Sequence, residues 1–435
     1  MGLSTQPYKG SRDFYPEDMR LQKYIFEKWR EVCERFGYEE YGAPILEPTD
    51  IYLAKTSEEI VREQTYTFTD RGNRSVTIRP EMTPSVSRMV AGRRQELGYP
   101  LRLYSIANFM RYERMQRGRL REFWQLNADL FGVEGIAGEH EVITMADQMI
   151  LAFGAKRSMY EIRINSRKFV NYLLKDYFGF SDVETSTLVR LIDRIDKMSR
   201  AEFVALVEAA ISPKLRDEGV AERLLEVLDC ANPADLPEEL AKSDTLNGLT
   251  ELMVLLEADG MTNARFDIKT MRGFDYYTDI VFEAFDLNPE NNRAMFGGGR
   301  YDGLVGQFGV DPVPTFGFAP GDVGTALFIE SNGLMPKLPS ETELYVVLAG
   351  IEYQSVIKLL GELRSEGLNV AVDSTPGKKI GAQFKTAEKK NIRFVSVVGE
   401  SELTNRRFKL KDLKTGKEED MSLERMVTKL KDKRS

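Results

Sequence analysis

The chain has 435 residues, more than one ordinary core organises and enough for two or three domains. It is 42% hydrophobic and 29% charged, which argues against a disordered or fibrous chain, and no run of about 18 apolar residues is present to cross a membrane. A net charge of −8 and a pI near 5.3 exclude a surface coated in basic charge, yet residues 341–435 carry 19 Lys and Arg against 15 Asp and Glu. That basic tail region fits a local contact with a polyanion and fits ordinary variation equally well.

The N-terminal stretch MGLSTQPYKGSRDFYPEDM has no apolar core of a signal peptide, so a cytoplasmic protein is expected. Leu21, Ile25, Trp29, Val32, Cys33 and Phe36 recur at helical spacing and predict an amphipathic helix over 18–36, closed by Gly37, with an extended stretch running to Pro44. Residues 101–113 and 121–131 read as two strands of an antiparallel hairpin, joined by the arginine-rich loop ERMQRGRL. His140 is the one histidine of the chain, which excludes a histidine triad or a two-histidine metal site; it lies in the helical EHEVITMADQM, where a structural role is expected. Cys33 and Cys230 stand far apart without metal-ligand neighbours and read as small buried hydrophobes rather than a disulfide or zinc site.

From 168 to 262 the pattern turns helical, with Pro and Gly breaks, and reads as an insertion. Strand-like segments return in ARFDI and FDYYTDIVFEAF. Residues 331–341, SNGLMPKLPSE, have linker composition. Beyond them LYVVLAG, a helix around 353–367, LNVAVD, a helix around 379–390 and FVSVVGE predict a small α/β domain over 342–435, leaving 1–330 as the main domain. No fixed-period repeat is present.

The hairpin carries the chemistry. Side chains alternate faces along a strand, so Phe109, Arg111 and Glu113 share one face, and Arg121, Phe123, Gln125, Asn127 and Asp129 share one face of the returning strand. Two arginines, two acids, two amides and two phenylalanines make a poor apolar core and suggest a polar ligand; a solvated ladder of ion pairs is the alternative. Arginine clamps phosphate oxygens in a planar fork, a Phe can stack on a base, and carboxylates and amides can hold an ammonium or an imidazole N–H.

FMRYERMQRGRLREFWQLNADLFG resembles motif 2 of the histidyl-tRNA synthetases, a family of class II aminoacyl-tRNA synthetases. IRPEMTPSVSRM resembles that family's Arg-Pro-Glu-x-Thr loop, MRGFDYYTDIVFE its histidine-specific segment, and GGGRYDGL with PTFGFAPGD its approach to motif 3. PYKGSRDFYP resembles the N-terminal signature, so the matches run in order from about residue 7 to 322, with a weaker one through the C-terminal domain.

The resemblance implies an α+β fold: a six-stranded antiparallel catalytic sheet flanked by helices, the helical insertion, and a C-terminal α/β anticodon-binding domain. It implies a homodimer built on the 18–36 helix and the strand to Pro44. It implies a ligase that activates histidine with ATP and Mg²⁺ and transfers it to tRNA(His). Arg111 and Arg272 would act at the ATP α-phosphate, Glu113 on the adenine amino group, Phe123 on the ring and Arg119 on the outer phosphates. Glu81, Thr83 and Gln125 would hold the α-ammonium of histidine. Asp129, where the family usually has Glu, would read the imidazole with Tyr277, and Tyr276 would line the pocket. Arg114, Gln116 and Arg117 would meet the tRNA acceptor end, and Arg393, Arg406, Arg407 and Lys409 the anticodon.

One departure stands out. Motif 3 commonly ends in Gly-Leu-Glu-Arg, whose Arg clamps the γ-phosphate, but here Gly321 and Asp322 precede Val323 and Gly324, as in a branch of the family that carries Gly-Asp. Arg117 or Arg119 is the expected substitute. The histidine-binding regulatory subunit of ATP phosphoribosyltransferase shares the catalytic fold without ligase activity and is the alternative reading. Tyr276 and Tyr277 as core aromatics, and Gly297, Gly298, Gly299 and Gly303 as a plain turn, are the competing local readings.

Overall fold

The computed structural model describes residues 2–53, 64–271, 276–291 and 293–432, which form two compact units, Met1–Met335 and Pro336–Ser435. The strands of the first unit are β1 (Glu39–Glu40), β2 (Leu46–Pro48), β3 (Tyr66–Thr69), β4 (Ser75–Ile78), β5 (Leu101–Met110), β6 (Glu122–Phe131), β7 (Tyr160–Ser166), β8 (Ala264–Phe266), β9 (Ile280–Asp286), β10 (Arg293–Arg300) and β11 (Thr315–Phe318). Eight of them make one sheet in the order β1-β5-β6-β11-β10-β9-β7-β8. The six inner strands are antiparallel to their neighbours, and the short β1 and β8 add a parallel pairing at each edge. The sheet is therefore two strands wider than the six expected. β1 has two residues and β8 three, too short to print a period-2 pattern in the sequence.

Alternation along β5 and β6 sorts the two faces. On one face Tyr104, Leu126, Ala128 and Leu130 join the main core. Against them pack the helix Pro16–Arg35, through Ile25, Trp29, Val32 and Cys33, and the helix Ile136–Leu151, through Val142, Met145, Ala146 and Met149. Pro16 starts the first helix at a position that needs no N–H, and Gly37 ends it with φ +77°, where a left-handed residue closes the last turn. On the opposite face lie Phe123, Gln125, Asn127 and Asp129, and over it the helix Thr83–Gly92. A small sheet, β2-β4-β3, carries the chain to that helix.

Between β7 and β8 the chain forms the helices Asp182–Ile192, Arg200–Ala210, Val220–Leu228 and Asp244–Ala258, with shorter turns between. Leu188, Phe203, Leu224 and Leu249 are fully buried and continuous with the core beneath the sheet. His140 Nε2 lies 2.8 Å from Asp259 Oδ2, tying the helix Ile136–Leu151 to the end of this segment, a structural contact as expected.

The second unit contains a five-stranded sheet built from β12 (Leu344–Leu348), β13 (Val370–Val372), β14 (Phe394–Val398), β15 (Arg407–Asp412) and β16 (Glu418–Ser422), in the order β13-β12-β14-β15-β16. β12 is parallel to both its neighbours and buried on both faces: Leu344, Val346 and Leu348 on one, Tyr345 and Val347 on the other. The hairpin β15–β16 and the helix Leu423–Lys431 go beyond the sequence reading. Their charge hides the alternation: Phe408 and Leu410 point inward, while Lys409 and Lys411 reach Glu418 across the hairpin.

Candidate functional site

The face of β6, β10 and β11 that carries Gln125, Asn127 and Asp129 opens into two adjoining chambers. The smaller, about 90 Å³, is lined by Glu81, Thr83, Asn127, Asp129, Tyr276, Tyr277 and Tyr301. The larger, about 430 Å³, is lined by Glu113, Arg119, Phe123, Glu283, Arg293 and Gly324 among others. Arg111, Gln125 and Ala319 border both. The sequence-derived residues Glu81, Thr83, Arg111, Glu113, Arg119, Phe123, Gln125, Asp129, Tyr276 and Tyr277 are thus brought together from five separate segments. Arg272 lies outside the described residues. Arg114 is exposed and borders neither chamber, as do Gln116 and Arg117.

The ladder of β5 stops before the alternation read from the sequence does. Arg111 N still donates to Arg121 O (2.8 Å), but Tyr112 N leaves for Gln64 O (2.7 Å) and Glu113 N turns back to Arg111 O (2.8 Å). Arg111 is nevertheless aimed at the shared wall. Its Nε donates to Pro80 O (2.8 Å), and its guanidinium lies 5.3 Å from the Phe123 ring centre. Phe123 stacks on the fully buried Phe109, centroids 5.8 Å apart, which holds its ring flat at the chamber wall. Glu113 Oε2 receives Arg119 Nη1 at 3.5 Å. Arg121, read as sharing this face, instead lies 3.7 Å over the Tyr112 ring and packs against Gly10.

The small chamber is drier. Tyr276 Oη donates to Glu81 (3.1 Å), both groups about 95% buried. Tyr301 Oη donates to Asp129 Oδ1, while Asp129 Oδ2 is buried with no hydrogen-bond partner among the described residues. Burial pushes the Asp129 carboxyl up to about 7, against the smaller opposing pull of the Tyr301 hydroxyl. Asn127 Nδ2 is likewise unpartnered. A buried acceptor and a buried donor left open in one small cavity call for a ligand that offers both an N–H and an acceptor. Tyr301 completes a ring trio, 5.7 Å from Tyr276 and 6.5 Å from Tyr277.

Of the four glycines read as a possible plain turn, only Gly303 lies in one. Gly297, Gly298 and Gly299 lie inside β10, where a Cβ on Gly298 would sit 2.1 Å from Gly317 O and one on Gly299 2.7 Å from the Tyr277 ring. A Cβ on Gly317 would fall 2.2 Å from Asp129 Oδ1. Only hydrogen fits at these positions, and close approach of backbone to side chain shapes the small chamber.

Sequence reasoning missed Tyr301, Glu283, Arg293 and the pair Arg12–Asp322. Tyr301 stands two residues beyond the glycine run, after Arg300, and its link to Asp129 crosses 172 residues. Arg12 Nη2 donates to Asp322 Oδ2 (2.6 Å), Asp322 Oδ1 accepts from Trp124 N (3.0 Å), and Gly10 O accepts from Arg121 N and Glu122 N. The N-terminal segment thereby fastens β6 to the start of the helix Asp322–Ser331. Burial raises the Asp322 carboxyl although Arg12 pulls it down.

In the second unit each basic residue named above meets a carboxylate: Arg393 with Asp412 (2.8 Å), Arg406 with Glu362, Arg407 with Asp420 (3.2 Å) and Lys409 with Glu418 (3.9 Å). Their charge is locally balanced, which weakens the sequence argument for any one of them as a polyanion contact.

Comparison with known proteins is consistent along the whole chain. The family model described as histidyl-tRNA synthetase matches residues 10–321, and the model described as anticodon binding domain matches residues 343–433. A histidine–tRNA ligase of Leptospira biflexa serovar Patoc is 38% identical over 435 residues, 100% of this chain and 99% of that protein. The histidyl-tRNA synthetase of Nostoc sp. PCC 7120 superposes with a TM-score of 0.83 at 20% identity, covering 99% of this chain and 100% of the other. A Bacillus halodurans structure described as an ATP phosphoribosyltransferase regulatory subunit/histidyl-tRNA synthetase superposes with a TM-score of 0.74 at 22% identity, over 91% and 99%. Both structural likenesses speak to the fold.

Proposed function

The chain belongs to the histidyl-tRNA synthetase family, and from that premise we propose that it is a histidine–tRNA ligase working through the two chambers. Histidine occupies the small chamber, with its imidazole N–H on the open oxygen of Asp129 and its ammonium on Glu81, Thr83 and Gln125. ATP occupies the large chamber, with adenine on Phe123 and Glu113. The supporting observation is that Arg111 and Gln125 border both chambers, so a carboxylate in one meets an α-phosphate from the other at a shared arginine.

The first step is attack of the histidine carboxylate on the α-phosphorus with loss of pyrophosphate. Two anions must approach each other, and Arg111, fixed by Pro80 O, neutralises both without moving. Arg272, outside the described residues, is proposed to act at the same phosphate. No proton-transfer histidine is required. The ribose hydroxyl of the tRNA acceptor end then attacks the carbonyl carbon of the acyl-adenylate, forming the ester as the anhydride C–O bond breaks; AMP leaves and its phosphate oxygen takes the hydroxyl proton, with Arg114, Gln116 and Arg117 of the hairpin loop guiding the acceptor end. Mg²⁺ when bound lowers the charge of the outer phosphates. Among the side chains that line the large chamber, Glu283 and Glu113 carry the carboxylates that would help hold such an ion beside the nucleotide.

The homodimer is proposed on the 18–36 helix and the stretch to Pro44, with the exposed apolar Ile45 and Leu46 directly after it as support; sedimentation equilibrium giving a monomer at micromolar concentration would remove it. No helix among the described residues is long and apolar enough to cross a membrane, and a cytoplasmic location is proposed with the ligase activity. ATP–pyrophosphate exchange with Mg²⁺ and each standard amino acid tests the whole reading. Exchange stimulated by histidine alone is expected. Saturable histidine binding with no exchange would sink the ligase and favour the regulatory subunit of ATP phosphoribosyltransferase.

A further inference from the structure

We propose that Arg293 binds the terminal phosphate of the nucleotide, supplying from the sheet floor the charge that position 324 of the helix does not carry. The inference rests on the large chamber holding ATP and adds a residue that neither motif nor spacing pointed to.

Four observations carry it. First, β10 runs from the small chamber, which Gly297 borders, to the large one, which Met295 and Arg293 border. Four residues of strand span roughly 13 Å. Arg293 therefore stands at the end of the large chamber away from the amino acid, while Arg111 stands where the chambers join. An ATP with its α-phosphate at Arg111 can send its outer phosphates along this floor.

Second, Arg293 has no carboxylate partner among the described residues. Its Nη1 donates to the carbonyl of Arg117, which orients the guanidinium without supplying a counter-charge. The neighbouring arginines differ: Arg119 has Glu113, and Arg12 has Asp322. A fixed cation with spare donors at a chamber wall is suited to a phosphate.

Third, the helix start opposite is bare. A Cβ on Gly324 would already lie 3.2 Å from Met295 O, so position 324 sits directly against β10 with no side chain between. The space above Met295 and Arg293 stays open to the ligand.

Fourth, the hairpin loop grips the same guanidinium. Gly118 has φ +82°, and a Cβ there would be 2.6 Å from Arg293 Nη1. Arg117 Nη1 in turn donates to Glu290 O at 3.1 Å. The loop tip and the start of β10 thus set the position of Arg293 together.

The test is calorimetry on the full chain with ATP, AMP and histidine as separate probes, alongside exchange kinetics. Arg293→Ala should weaken ATP about ten- to a hundredfold, the range of one charge-assisted hydrogen-bonded contact, and raise the KM for pyrophosphate similarly. AMP and histidine affinity should stay unchanged, which also reports an intact fold. Arg293→Gln, which can still reach the Arg117 carbonyl without charge, should match the alanine variant, and Arg293→Lys should recover part of the loss. Equal losses for ATP and AMP, or wild-type ATP binding in Arg293→Ala, would overturn the assignment. Wild-type protein that binds ATP but exchanges with no amino acid would defeat the ligase reading alone, since the ATP-to-AMP comparison still reads Arg293.

Discussion

The two chambers meet at one arginine but are built on opposite principles. The small chamber is assembled from groups the fold has already taken out of water: Glu81 and Asp129 are 4% exposed, Tyr301 2%. Each is held by another buried side chain, so the chamber selects a ligand by leaving buried donors and acceptors unpaired with any other. The large chamber uses longer, more exposed side chains, Arg119 being 65% exposed, to neutralise charge on a ligand that brings its own. Specificity here therefore comes from desolvation, and phosphate binding from reach. The first is intolerant of substitution, while the second is graded and sensitive to salt.

The sharpest way to break the contrast is at the shared wall. Arg111→Ala removes a group from both chambers and should lower the turnover of pyrophosphate exchange about a thousandfold, the upper range for losing one fixed transition-state donor. A loss confined to the KM of one substrate would mean that the chambers do not communicate through it.

Next in size is Asp129. Asp129→Asn should reduce kcat/KM for histidine about a hundredfold, by leaving the imidazole N–H without a charged acceptor. The same change should raise the Tm of the ligand-free protein at pH 8. The folded carboxyl titrates near 7 against about 4 unfolded. Between those values the native state holds a proton that the unfolded chain has released, so this group's contribution to stability declines as pH rises and is lost above 7. In wild type the KM for histidine should fall as pH climbs from 6 through about 7, beyond what free imidazole accounts for; the asparagine variant should lack that extra dependence. Identical pH profiles would remove Asp129 from recognition.

Phe123→Ala should raise the KM for ATP about tenfold, the loss of one base–aromatic contact, with histidine unaffected. A matching loss at histidine would show that the ring merely supports Phe109. Smallest is Arg119→Ala, expected to change the KM for ATP by about threefold or less at physiological salt, because its charge is exposed and partly met by Glu113. The effect should grow at low ionic strength; a large, salt-independent effect would place Arg119 in the same class as Arg111.

Much of the fold was readable because its determinants are local. The first helix follows from the apolar spacing of Ile25, Trp29 and Val32 with Gly37 behind it, and β5–β6 from two ten-residue strands, of which β6 sets Leu126, Ala128 and Leu130 on one face and Gln125, Asn127 and Asp129 on the other. The same alternation put Phe123, Gln125 and Asp129 on one wall. Edge strands of two and three residues left no such trace, and β15–β16 hid its inward Phe408, Leu410 and Met421 among lysines, arginine and acids.

The site divides along the same line. Residue type and order along the chain were enough to name the family and most of the chamber walls, because motifs are contiguous and strand periodicity is a property of the backbone. The partnership of Asp129 with Tyr301, the clamp of Arg12 on Asp322 across 310 residues, and the meeting of Arg293 with the hairpin loop opposite a bare Gly324 have no sequence period. They exist only once eight strands are laid side by side. Contacts between segments hundreds of residues apart depend on strand order and register, and it is burial in that assembled sheet that raises the Asp129 carboxyl.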